Sequence, residues 1–225
     1  MEYEKVLKEL KKRANPKNVE GMARFGINPK NTLGISVPEL RALAKRIGKN
    51  HGLALKLWNS GIHEARMLAA FIDDPLLVDG KQMDAWIKDF DSWDVCDQAC
   101  CDLFDQIPLA YGKAVKWTGR KGEFEKRAGF ALMAGLAWHD KDAEDEKFVQ
   151  FFPFIRREAS DERNFVKKAV NWALRNIGKR NKKLNRLAIE TAKEIEKMDS
   201  KSARWIAKDA LRELQGEAVQ KRLGR

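Results

Sequence analysis

The sequence predicts an all-α fold, a curved α-solenoid occupying residues 1–225 as one domain. Three observations predict it. Almost every long segment carries its apolar residues at a 3.6-residue period, while alternating strand patterns are nearly absent. The loops between those segments are short, and no long linker or strand-rich block divides the chain. Four segments also share one register: Glu64-Ala-Arg-Met-Leu-Ala-Ala-Phe, Glu125-Lys-Arg-Ala-Gly-Phe-Ala-Leu, Val166-Lys-Lys-Ala-Val-Asn-Trp-Ala-Leu and Arg204-Trp-Ile-Ala-Lys-Asp-Ala-Leu. In each, a basic residue is followed by small residues and then by large apolar ones. Arg127 and Lys168 are 41 residues apart, Lys168 and Lys208 are 40 apart, and the 61 residues from Arg66 to Arg127 make two shorter units. A period of about 40 with two helices per unit marks HEAT or armadillo stacking, giving about six HEAT-like repeats here. The small residues let successive helices approach closely, and the concave face of such a stack binds extended partners. An irregular helical bundle with coincidental spacing is the alternative.

Taken in order, residues 2–13 form a short amphipathic helix that Asn15-Pro16 ends, because the residue before a proline is driven out of the helical region. Gly26, Pro29, Gly34 and Pro38 mark residues 26–38 as a loop. Ser36 is placed to cap the next helix, with Pro38 in its first turn and Glu39 completing a capping box. Helices are then expected at 37–47, 51–60, 63–73, 80–90, 92–105, 108–119, 123–137, 142–158, 162–178, 181–198 and 202–215.

Composition narrows the function classes. Hydrophobic residues make up 44% of the chain, too many for intrinsic disorder, yet no run approaches the roughly 18 apolar residues of a membrane span. The N-terminal MEYEKVLKELKKR is charged throughout, so no secretory signal is expected. Cys96, Cys100 and Cys101 cannot build a disulfide framework and suit reduced thiols in a cytosol. The 44 Lys and Arg against 33 Asp and Glu give a formal charge of +11, unevenly placed. Residues 161–225 hold 18 basic and 9 acidic side chains, whereas residues 73–105 hold ten Asp and two Lys. That asymmetry reads either as a solvated helical surface or as the footprint of a polyanion, most often nucleic acid. The basic segments lack the apolar, Trp/Phe-edged face that an acidic lipid surface would require.

Most catalytic signatures are missing: there is no GxGxxG, Walker A, HExxH, GxSxG or CxxC pair. His51, His63 and His139 are dispersed among ordinary helical residues and read as surface or core histidines. Cys96 and Cys100 share a helix face but lack two further ligands, so they read as small buried hydrophobes, and no metal is expected. Two segments stand out. In Ser92-Trp-Asp-Val-Cys-Asp97, Ser92 is placed to cap a helix, Asp94 suits its positive end, and Trp93 and Asp97 lie four residues apart on one face. In the segment from Val166 to Arg175, Lys168, Trp172 and Arg175 fall at i, i+4 and i+7. Such a stripe of cation, indole and cation suits phosphates and the flat faces of sugars or bases. Core packing is the plain reading of either tryptophan alone, since seven are present and most are expected inside.

The Trp-x-x-x-Asp helix start (Trp93, Asp97), the Arg-Ala helix (Arg127-Ala128) and the Lys-Ala-Val-x-Trp-Ala-Leu-Arg helix (Lys168 to Arg175) together resemble the HEAT-like-repeat DNA alkylation repair glycosylases, the AlkD family. The resemblance runs from Met22 through Trp205, and its motifs are specific in combination and weak singly. It implies a monomeric DNA glycosylase that excises N3- and N7-alkylated purines from duplex DNA. Alkylation at those nitrogens makes the base cationic, so the base leaves neutral and the remaining barrier is a positive, oxocarbenium-like sugar. Anionic and π-electron density would stabilise that sugar. In that reading Asp97 faces the cation and positions the attacking water, while Trp93 and Trp172 flank the deoxyribose on the concave face. Arg127, Lys168 and Arg175 hold phosphates, and Lys167 and Phe25 also meet the DNA. Phe25 stands where the family commonly has tyrosine, which removes a hydroxyl contact to the backbone.

The resemblance further implies that the base stays stacked, unlike in enzymes that flip it into a pocket. The chain offers no lysine nucleophile motif, so the implied enzyme is monofunctional, without strand cleavage. No membrane, metal or cofactor is implied, and the implied location is cytoplasmic, on the nucleoid when DNA is bound. Two other readings stand beside it: a non-catalytic HEAT-repeat module that binds bent, branched or damaged DNA, and a protein-binding solenoid scaffold.

Overall fold

The computed structural model describes residues 2–224, in which every regular element is helical: 15 α-helices and two 3-10 turns. No described helix is long and apolar enough to cross a membrane. The chain divides into two compact units, one running to Ile107 and the other starting at Pro108.

The first unit contains α1 (Tyr3–Lys12), α2 (Pro16–Arg24), α3 (Val37–Ile47), α4 (His51–Asn59), α5 (His63–Ile72), α6 (Gly80–Trp86) and α7 (Trp93–Asp102). Asn15-Pro16 ends α1, as expected, and also starts α2, which the sequence did not suggest. Asn15 accepts a hydrogen bond from the Asn18 amide (3.3 Å), and Pro16 sits where a helix has no use for an N–H. No residue of α2 is buried, and its nine residues carry only Val19, Met22 and Ala23 as apolar side chains after Pro16, too short a run for the period to stand out. Helix α5 is the hub. It packs between α3 and α7, with α4 and α1 behind it, and only Arg66 and Phe71 along its length are partly open. Beside it Trp58 of α4 stacks on Trp86 of α6, with ring centroids 3.8 Å apart and planes 5° from parallel. The Trp58 indole N–H donates to Asp89 at 2.9 Å, so this core indole leaves no polar group unpaired. The helices expected to reach 90 and 105 are shorter. Each ends near a 3-10 turn, at Ile87–Asp89 and Phe104–Gln106.

The second unit contains α8 (Ala110–Thr118), α9 (Glu123–His139), α10 (Glu146–Val149), α11 (Phe152–Glu158), α12 (Asn164–Gly178), α13 (Lys182–Glu196), α14 (Lys201–Leu214) and α15 (Glu217–Gly224). Helices α9, α12 and α14 form one layer, backed by α8, α11 and α13, so that each front helix pairs with the one before it. The period read from the sequence reappears as hydrogen bonds between corresponding positions of successive pairs. Arg127 donates to the Phe165 carbonyl 38 residues on, Asn171 to Asp209 (38), and the Ser202 hydroxyl back to the Asp161 carbonyl (41). Close approach is built in at Gly129, where a Cβ would lie 2.8 Å from both the Ala114 carbonyl oxygen and the Thr118 nitrogen. The helix expected over 142–158 is broken into α10 and α11, because Pro153 has no N–H to give the Val149 carbonyl. Helix α15 adds a last element beyond the expected end at 215.

Candidate nucleic-acid interface

In the first unit, α7 begins at Trp93, and its start is fastened to a loop from far upstream. Ser92 is extended (φ −149°, ψ 147°) at the cap position, but its hydroxyl does not cap the helix. That hydroxyl accepts from the Asn28 amide at 2.9 Å and so ties the 26–36 loop to α7. The same loop is held from α5. Buried Glu64 accepts from the amides of Leu33, Gly34 and Ile35 at 2.8, 2.6 and 3.2 Å, and the His63 amide donates to the Asn31 carbonyl. Amide bonds to a charged acceptor are worth roughly 1.5–3 kcal/mol each, so this carboxylate replaces a strand or helix as the loop's anchor. Gly34 (φ +79°) permits it, since a Cβ there would lie 2.2 Å from the Asn15 carbonyl oxygen. His63 Nε2 meets Asp94 Oδ2 at 2.9 Å in the interior. Burial alone would lower the His63 pKa, but the Asp94 hydrogen bond and charge, helped by Glu64 and Asp91, leave it raised.

On that frame Trp93 is half-buried, its indole N–H donating to the Phe25 carbonyl at 3.1 Å. It lines an open groove of about 810 Å³ with Met22, Phe25, Ile35 and Met67, where Lys17 and Arg24 are matched by Glu20 and Asp94; Asp97 is not part of that lining. Phe25 itself is 74% exposed. Asp97 lies one turn beyond Trp93 on the same face of α7 and is half-buried. Cys96 and Cys100 are buried, as expected. Burial pushes the Cys101 thiol up, and the charge of Asp97 pushes it further.

In the second unit, α12 carries the other expected residues. Lys168 is exposed and makes no ion pair among the described residues, and the half-buried Trp172 leaves its indole N–H without a partner among them. Lys167 sits with its Nζ 5.5 Å from the ring centroid of Trp205. Arg175, expected at a phosphate, is engaged by carboxylates of α14. It is tied to Glu213 and lies 3.5 Å from Asp209, both on α14. Arg127, also expected at a phosphate, is engaged within the protein. It is 6% exposed, and its guanidinium donates to the Phe165 carbonyl at 2.7 Å, bracing α9 against the start of α12. The seven tryptophans sort into three kinds. Trp58, Trp86 and Trp117 are core, Trp93 and Trp172 are half-open, and Trp138 and Trp205 are exposed. Among the described residues no three His, Cys, Asp or Glu side chains group to hold a metal ion.

Sequence reasoning placed Ser92 and Asp94 at the start of α7 but missed their partners Asn28 and His63 and the part played by Glu64. The signal for Glu64 was its place in a repeat segment whose other residues, Arg66 apart, are apolar, where an unpaired carboxylate is untenable.

No curated protein matches the chain. Among solved structures, a protein from a family related to the HEAT-like repeat DNA glycosylases, with affinity for branched DNA structures, is similar at 22% identity and a TM-score of 0.80. The match covers 100% of this chain and 97% of that one. A designed armadillo repeat protein in complex with a (KR)4 peptide matches at 15% identity over 82% of this chain and 78% of that one, with a TM-score of 0.40. The first likeness shows a HEAT-like repeat fold. The model of the DNA alkylation repair enzyme family matches residues 6–214, and the chain belongs to that family.

Proposed function

We propose that the chain is a monofunctional DNA glycosylase that releases N3- and N7-alkylated purines from duplex DNA. The observation that carries this reading is the first turn of α7, where Trp93 is open to a groove and Asp97 follows one turn on. An alkylated purine is already cationic, so the C1′–N bond breaks with its electron pair passing to the base, which departs neutral. The sugar is left as an oxocarbenium-like cation. The Asp97 carboxylate opposes that charge and orients a water, whose oxygen adds to C1′ and whose proton passes through the carboxylate to solvent. Trp93 offers the electron-rich face of its ring to the sugar, and the family resemblance assigns Trp172 the same part. Lys168, without a carboxylate partner among the described residues, is the phosphate contact of α12, with Lys167 beside it. For Arg127 and Arg175 the same role requires exchanging their present partners for phosphate oxygens.

The test is release of free 7-methylguanine or 3-methyladenine from alkylated DNA. Asp97→Asn is expected to slow release by about 100- to 1,000-fold while duplex affinity is kept, since the variant removes charge opposite the developing cation and no phosphate contact. Release by Asp97→Asn at the wild-type rate overturns the mechanism. A second reading, a non-catalytic module for branched DNA, is favoured by the affinity of the similar protein for such structures. Wild-type protein that binds branched DNA tightly and releases no base would establish it instead.

A further inference from the structure

Within the second unit, a second cationic and aromatic pocket lies at the C-terminal ends of α9 and α12. Lys179 is 11 residues beyond Lys168, which along a helix is roughly 16 Å. The pocket has a volume of about 430 Å³, within the range of roughly 300–1,000 Å³ usual for ligand sites. Trp138 lines it while remaining 55% exposed, and Lys141 Nζ lies 4.9 Å from its ring centroid. Arg180 and Arg222 also line it. These three cations have no carboxylate partner among the described residues. Arg180 spends its N–H groups on the carbonyls of Ala137, Asp140, Lys141 and Ala143 and lies 3.9 Å from the Phe148 ring centroid, and Arg222 donates to the Lys179 carbonyl. The remaining charges of the lining are compensated in whole or in part. Lys179 pairs with Glu213, and Asp145 accepts from Asn181 and lies 3.8 Å from Lys183, which it shares with Glu146, so one partly compensated carboxylate stands against the three cations. The pocket therefore presents an open indole among net positive charge.

Each half of that description selects ligand chemistry. An exposed indole face stacks on a flat heterocycle, and cations free of carboxylates collect phosphate. A paired base inside a duplex has both faces covered by its neighbours, so away from the duplex ends an unpaired nucleotide is what offers one. We propose that this pocket binds an unpaired nucleotide of a DNA strand, its base stacked on Trp138 and its phosphate held by Lys141 and Arg222. The proposal rests on the reading that the chain binds DNA, and adds to it a site for a displaced or overhanging strand.

The test measures affinity of the full chain for a blunt unmodified duplex, the same duplex with a single-stranded overhang, and a free deoxynucleoside monophosphate. Wild type is expected to prefer the overhang. Trp138→Ala is expected to lose about tenfold in affinity for the overhang alone, with Trp138→Phe restoring most of it. Trp138 is exposed, so neither variant disturbs the core. Equal loss on blunt and overhanging duplexes, or loss on neither, overturns the site. Tight binding of the monophosphate without any preference for the overhang overturns the strand and assigns the pocket to free nucleotides. Release of alkylated base from the blunt duplex is expected to be the same for Trp138→Ala as for wild type, so a failure here is distinguishable from a failure of the glycosylase reading.

Discussion

His63 shows how much a single side chain contributes to the first unit. Its ring joins α5 to Asp94 in the first turn of α7, and its backbone amide holds the loop at Asn31. Because its folded pKa is raised, the native state binds a proton more tightly than the unfolded chain does. The stabilisation is complete below the ordinary imidazole value of about 6.5, where both states are protonated. It is lost as pH rises through the higher folded value. Melting temperature is therefore expected to decline across that window in wild type, and His63→Gln should flatten the decline; a parallel decline in both proteins would remove His63 from this role. The pair Trp93 and Asp97 was legible in the sequence because four-residue spacing on a helix puts side chains on one face. The partners of Glu64 were not. They are backbone amides of a loop about 30 residues upstream, and nothing in local spacing reports where a loop folds back.

At the scale of helices, what the sequence made legible was periodicity and close approach. The small residues after Arg127 and Lys168 marked close approach between neighbouring helices, and Gly129, against α8, is one of them. Glycine inside a helix ordinarily costs stability relative to alanine, by roughly 0.5–1 kcal/mol. At Gly129 the sign reverses, because an added methyl would meet the backbone of α8 and force the two helices apart. Gly129→Ala is expected to destabilise by about 1–3 kcal/mol. Gly112 lies on α8, where an added methyl would have no neighbour within 4 Å, and Gly112→Ala is expected to stabilise by roughly 0.5–1 kcal/mol. Chemical denaturation of both variants measures the pair, and two changes of the same sign would refute the packing account. The boundaries were less legible than the helices. Pro153 splits one predicted helix, and Asn15-Pro16 both ends one helix and begins the next, since the same dipeptide that stops a helix satisfies the requirements of an N-terminus.

Across the whole chain, the division into two units sharpens the charge asymmetry. Residues 1–107 carry 16 basic and 16 acidic side chains, and residues 108–225 carry 28 and 17, so the entire formal +11 belongs to the second unit. Exposed cations without carboxylate partners release counterions when they meet phosphate, whereas those already paired within the protein release few. Duplex affinity is therefore expected to fall linearly on a log–log plot against salt, with a slope set by open cations such as Lys168 rather than by the total count. Lys168→Ala should reduce that slope by about one. Arg127→Ala should leave the slope unchanged and lower the melting temperature, because it removes a buried donor from the Phe165 carbonyl. A slope reduced by Arg127→Ala and not by Lys168→Ala would mean that on DNA the arginine releases Phe165 for a phosphate. The contact that couples α9 to α12 in the free protein would then be exchanged for one that couples α9 to the duplex.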